Sequence, residues 1–121
     1  LVVCGDFYHE SGFAGARTLL SRPKPPTVVV AMNNAMSLGA LAYIKEKALK
    51  IPGEISFAGF GDIFNRELLY INPTIVSQNP RQVGKLMGEL IMRRVADKTA
   101  TPISAMVPSQ LLIGDSVQRL S

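Results

Sequence analysis

Thr27-Val28-Val29-Val30-Ala31-Met32-Asn33-Asn34 is the stretch that decides the fold. Its first six residues are apolar or β-branched without interruption, the pattern of a strand covered on both faces, as in a parallel sheet. Asn33-Asn34 then turns the chain, with Asn34 the expected helix cap. From Ala35 to Leu49 the residues Met36, Ala40, Leu41, Ile44 and Ala48 form one apolar stripe, and Lys45, Glu46, Lys47 and Lys50 wet the far side. A strand passing directly into a helix of that length is half of a right-handed βαβ unit.

Working outward, Leu1-Val2-Val3-Cys4 closed by Gly5-Asp6 reads as a preceding buried strand, and Ser11 to Ser21 keeps helical spacing until Arg22-Pro23-Lys24-Pro25-Pro26 forbids continuation. Downstream, Pro52-Gly53 ends the helix and Ile55 to Phe60 supplies another strand, closing on Gly61-Asp62. Three strands separated by two helices imply an α/β fold, a parallel sheet between helical layers. Ile63 to Tyr70 has room for about two helical turns, and Thr74 to Gln78 is strand-like. Asn79-Pro80 opens a long helix reaching about Asp97, with Val83, Leu86, Met87, Leu90, Ile91 and Val95 on one face. Ile103 to Val107 and Gln110 to Ile113 read as short strands, and Asp115 to Ser121 as a loose tail.

With 121 residues, 47% of them hydrophobic, the chain can bury one real core and is not a disordered tail. One cysteine, Cys4, and one histidine, His9, can form neither an internal disulfide nor a Cys/His zinc site, which points to a cytosolic or redox-indifferent setting and to no metal. No apolar run approaches the roughly 20 residues that span a bilayer. The net charge of +4 comes from 13 cationic residues spread along the chain, the usual look of a solvated surface rather than a nucleic-acid face. The chain does not begin with Met, as expected of a fragment or a processed product.

Open parallel sheets bind ligands beyond the carboxyl ends of their strands. Gly5-Asp6-Phe7-Tyr8, Asn33-Asn34 and Gly61-Asp62 occupy those ends. A ring, two amides and a carboxylate suit a polyhydroxylated or heterocyclic small molecule. Each also has a plainer use: Phe7 as a loop anchor, Asn33 as a turn residue, Asp62 as the cap of a short helix, Cys4 as inert core. No Gly-x-Ser-x-Gly elbow, phosphate-cradling loop or His-Glu-x-x-His motif is present, so the reading is a binding module without a cofactor and not an enzyme.

The strings Gly5-Asp6-Phe7, Glu10-Ser11-Gly12-Phe13, Pro26-Thr27 and Ala31-Met32-Asn33-Asn34-Ala35-Met36-Ser37-Leu38-Gly39-Ala40 resemble the lactose/galactose repressor (LacI/GalR) family of bacterial transcription regulators. The likeness continues through Ile51-Pro52-Gly53-Glu54-Ile55-Ser56-Phe57-Ala58-Gly59-Phe60-Gly61-Asp62 and Thr74-Ile75-Val76-Ser77-Gln78, covering nearly the whole chain in order. It implies the C-terminal portion of a type I periplasmic-binding-protein-like sensor, with two α/β subdomains that close on an effector. Residues 1–73 would belong mainly to the C-terminal subdomain, 74–102 to a crossover strand and the long helix of the other lobe, and 103–121 to return strands and a tail.

The same resemblance implies that Phe7 stacks on the ligand, that Asn33 hydrogen-bonds it and that the crossover contributes near Gln78. Where the family often places an aspartate after Gly-Phe or Gly-Tyr, this sequence has Gly61, with Asp62 one place later. That departure favours a different ligand set, such as a sugar acid, which a carboxylate at position 61 would repel. Operator DNA would be bound only through a helix-turn-helix that this chain lacks, in a cytoplasmic homodimer whose surface includes Met36, Leu38, Leu68 and Leu69. The runner-up is a periplasmic sugar-binding protein of a transporter. The family's first strand of this subdomain would lie between those starting at Leu1 and Thr27. Its loss is expected to open two strand edges, to be covered by pairing of copies or by a strand such as Gln110 to Ile113.

Overall fold

The computed structural model describes residues 1–119. Helix α1 (His9–Leu20) precedes strand β1 (Val28–Ala31), helix α2 (Asn34–Glu46) and strand β2 (Ser56–Phe60). A single 3-10 turn at Arg66–Leu68 leads to strand β3 (Thr74–Ser77), helix α3 (Pro80–Ala96) and strand β4 (Gln110–Leu112). The α/β class and the parallel-dominated sheet are as the sequence reads.

The sheet order is β1-β2-β3-β4, with the first three strands parallel and β4 antiparallel to β3. Val29 lies beside Phe57, and Gly59 joins Ala31 to Ile75 across three strands. Phe57, Ile44 and Ile75 are fully buried, and the main core gathers Val29, Ala31, Leu41, Tyr43 and Ile55 around the first two. Removing each such side chain from water contributes roughly 1.5–3 kcal/mol, which makes this cluster the anchor of the fold. Gly12 and Gly39 bring α1 and α2 into backbone contact: a Cβ on Gly39 would overlap the His9 carbonyl, and one on Gly12 the Met36 carbonyl.

Five expectations are corrected. β1 is covered on one face only, because α1 and α2 share that side: Val29 and Ala31 are buried while Val28 and Val30 remain exposed. Leu1–Cys4 joins no ladder; a gap of about 390 Å³ separates Leu1 to Val3 from Val29 to Met32, and Leu1 and Val2 are exposed. Gln110 to Leu112 does not fill that gap but pairs with β3 at the opposite edge, and Ile103 to Val107 forms no strand. Ile63 to Tyr70 makes one tight turn instead of two helical ones, its residue Asn65 lying in the left-handed region at φ 53°.

The tail also differs. Ser116 is fully buried, its hydroxyl donating to the Phe57 carbonyl (2.6 Å) and accepting from the Thr74 amide (2.8 Å), while its own carbonyl accepts from the Phe57 amide (2.8 Å). It thereby stitches the starts of β2 and β3 together. The Gln118 amide donates to the Ser56 hydroxyl, so Asp115 to Gln118 is fixed; Leu120 and Ser121 lie outside the described residues.

Candidate ligand cleft

The carboxyl ends of β1, β2 and β3 open onto one cleft of about 410 Å³, lined by Phe7, Met32, Asn33, Asn34, Phe60, Gly61, Asp62, Gln78 and Pro80. All four residues expected to meet a ligand, Phe7, Asn33, Asp62 and Gln78, border it. Asn33, Asp62 and Gln78 follow β1, β2 and β3, whose carboxyl ends lie on one side; Phe7 comes from the loop before α1, tied there by the Asn33 side chain.

Phe7 is 71% exposed and has a φ of 72°, a backbone region that bulky residues adopt only when their surroundings impose it. Here the surroundings do. The Asn33 side-chain amide donates to the Phe7 carbonyl (2.9 Å), and the Tyr8 amide donates to the Asp6 carboxylate (3.1 Å). The Ser11 hydroxyl accepts from the Asp6 amide and donates to the Tyr8 carbonyl, closing the turn. The Ser11 hydroxyl and the Tyr8 amide hold the Asp6 carboxyl below its ordinary range.

Asn33 does two jobs at once. Its side-chain oxygen accepts from the Met36 amide (2.7 Å), so it, and not Asn34, is the cap of α2, while its amide group fixes Phe7. Asn34 instead donates to the Asp62 carbonyl (3.3 Å), tying the end of β1 to the end of β2.

Gly61 has φ +95° and donates its amide to the Val76 carbonyl (2.9 Å). This left-handed geometry suits glycine, and it carries the chain past the cleft before the next side chain appears. Asp62 therefore faces β3: its carboxylate accepts from the Ser77 hydroxyl (2.6 Å) and from the Gln78 amide (3.0 Å). Ser77 escaped the sequence reading; its only signal is a hydroxyl closing the apolar run Thr74-Ile75-Val76. Gln78 itself is exposed and borders the cleft.

The side chains expected at a dimer surface divide in two. Met36 and Leu69 pack against the core, whereas Leu38 is 37% and Leu68 77% exposed. Phe64 and Tyr70, near Leu68 in the sequence, are exposed as well. Among the described residues no cluster of three or more His, Cys, Asp or Glu could hold a metal, and no helix is long and apolar enough to cross a membrane.

The profile of the periplasmic binding protein-like domain matches residues 2–117. A Bacillus subtilis (strain 168) protein named "Probable HTH-type transcriptional repressor ExuR" is 31% identical over 121 residues, covering 98% of this chain and 36% of that protein. Among solved structures, a LacI family transcriptional regulator from Bifidobacterium animalis subsp. lactis is 26% identical with a TM-score of 0.78, covering 92% of this chain and 41% of that one. The transcriptional regulator CelR, solved as a cellobiose complex, is 27% identical with a TM-score of 0.83, over 93% of this chain and 35% of that one. The chain thus spans about a third of the length of the curated relatives it matches.

Proposed function

We propose that this chain, which belongs to the periplasmic binding protein-like domain family, is an effector-sensing part of a LacI-type transcriptional regulator. The observation that carries the reading is the convergence of Phe7, Asn33, Asp62 and Gln78 on one cleft at the carboxyl ends of three parallel strands. The relatives support it: two that it matches over nearly its whole length are named as transcriptional repressors, one of them as probable, and one solved neighbour is a cellobiose complex. A repressor of this kind works in the cytoplasm and meets operator DNA through another segment of the full protein.

The effector in this reading is a sugar-like metabolite, with a sugar acid as the candidate that the glycine at position 61 brings in. At Gly61 there is no side chain to repel an anion, and the Asp62 carboxylate is turned onto Ser77 and Gln78. Phe7 offers an exposed ring, on a backbone that Asn33 holds, for the apolar face of a pyranose. Gln78 offers a donor and an acceptor to hydroxyls.

A thermal-shift panel of neutral hexoses and their uronic and aldonic acids, run on the longest natural chain carrying these residues, tests this. A ligand at a hundred times its Kd stabilises the native state by about 2.7 kcal/mol, well within detection. The acids are expected to raise the melting temperature more than the neutral sugars. Phe7→Ala should leave the ligand-free midpoint unchanged and weaken binding by about tenfold, on the order of 1.4 kcal/mol. Silence across the whole panel would sink the effector reading, and stabilisation by neutral sugars alone would remove the acid.

The same protein is a homodimer in this reading, with exposed Leu38 and Leu68 at or beside the contact. Leu68→Glu is expected to shift light-scattering mass toward the monomer, because a carboxylate cannot be buried unpaired at an apolar interface. An unchanged dimer would remove this patch from the interface.

A further inference from the structure

From the Asp62 contacts we infer that this residue acts as a positioning residue that clamps the crossover from β3 to α3 and so sets the angle at which α3 leaves the sheet. Both carboxylate oxygens are committed to two consecutive residues of the crossover, the Ser77 hydroxyl at 2.6 Å and the Gln78 amide at 3.0 Å. The Ser77 hydroxyl in turn accepts from the Asn79 amide at 3.1 Å. One carboxylate therefore governs, directly or through one hydroxyl, all three residues that link strand to helix.

The base of the clamp is itself fixed. The Gly61 amide donates to the Val76 carbonyl and the Asn34 side chain donates to the Asp62 carbonyl, so Asp62 is anchored to β3 on one side and to the start of α2 on the other. Asn79 sits in the left-handed region at φ 52°, where its own side chain binds Gln82 and does not cap α3. Beyond it, α3 buries none of its residues among those described. Its Val83, Leu86 and Leu90 are only half-buried, bordering a hollow shared with Phe60, Ala105, Val107 and Ser109. The torsions of Ser77, Gln78 and Asn79 join α3 to the sheet, and these are what the carboxylate restrains. Charge-assisted hydrogen bonds such as these are among the stronger restraints a side chain can apply.

The test uses the longest natural chain that carries these residues, with its cysteines replaced by serine and spin labels at Glu46→Cys on α2 and Met92→Cys on α3. Distances are measured without ligand, so failure here leaves the effector reading untouched. Asp62→Ala is expected to widen the α2 to α3 distance distribution at least twofold. Ser77→Ala should widen it by less, because the Gln78 contact survives. Asp62→Asn should restore the native width, since its oxygen accepts from Gln78 and its amide donates to the Ser77 hydroxyl. Amide exchange at Val29 and Phe57 provides the control, and it stays at the native rate if the clamp is local. A native width in Asp62→Ala would overturn the proposal. So would a widening accompanied by faster exchange in β1 and β2, which would make Asp62 part of the general stability of the fold.

Discussion

Ser116→Ala is expected to destabilise the chain by roughly 2–5 kcal/mol. The hydroxyl lost is the partner of two buried backbone groups, the Phe57 carbonyl and the Thr74 amide, and each buried group left unpaired costs about 1–3 kcal/mol. The methyl group of alanine fills most of the space, so the penalty is electrostatic and not one of packing. Ser116→Thr keeps the hydroxyl but adds a methyl group in a fully buried position, and should recover only part of the loss. Urea unfolding followed by circular dichroism measures the difference through the midpoint at constant slope. A Ser116→Ala midpoint equal to that of the native chain would mean that the Phe57 carbonyl and the Thr74 amide find other partners once the hydroxyl is gone.

Gly39→Ala is the second large effect. On helix propensity alone alanine would gain about 1 kcal/mol over glycine, but steric overlap decides the sign. The new Cβ would overlap the His9 carbonyl and crowd the Phe13 amide, which belong to the backbone and cannot swing aside. Helices α1 and α2 would have to separate, at a cost near the upper end of the roughly 1–3 kcal/mol typical of overpacking. The separation would also draw Phe13 from its edge-on contact with Tyr43, 5.3 Å between ring centres. Measured by the same urea titration, the variant is expected to unfold at a lower midpoint; a stabilised variant would show that the helix pair has room to spare.

The β1–α2–β2 unit was legible because its signals are local. A β-branched run, an asparagine turn and a 3.6-residue stripe each report the environment of residues near one another in the chain. The rim of the cleft was legible for a related reason, since strand ends in a parallel sheet converge wherever the strands do. What could not be read depends on neighbours far away in sequence. Leu1–Cys4 has the composition of a strand, yet composition records what a segment would bury and not whether a partner lies beside it. Ser116 stands 59 positions from Phe57, and nothing around it distinguishes it from any other serine near a terminus. The choice between Asn33 and Asn34 as cap turned on one hydrogen bond to Met36. Asp62 could be placed at the rim but not aimed, because its direction follows from the positive φ of the glycine before it.

The pairing of β3 with β4 has a mechanical consequence. The chain leaves the sheet through β3, runs out along α3 and comes back through β4, and the outgoing and returning strands are hydrogen-bonded neighbours with Val76 beside Leu111. Within this chain, α3 and the stretch that follows it are thus joined to the sheet by two adjacent strands. A single tether would act as a swivel with three rotational freedoms, whereas two side by side suppress sliding and leave chiefly one swing, about the line joining them. Asp62 holds only the outgoing strand end, so the two attachments of this segment are unequally supported by side-chain contacts.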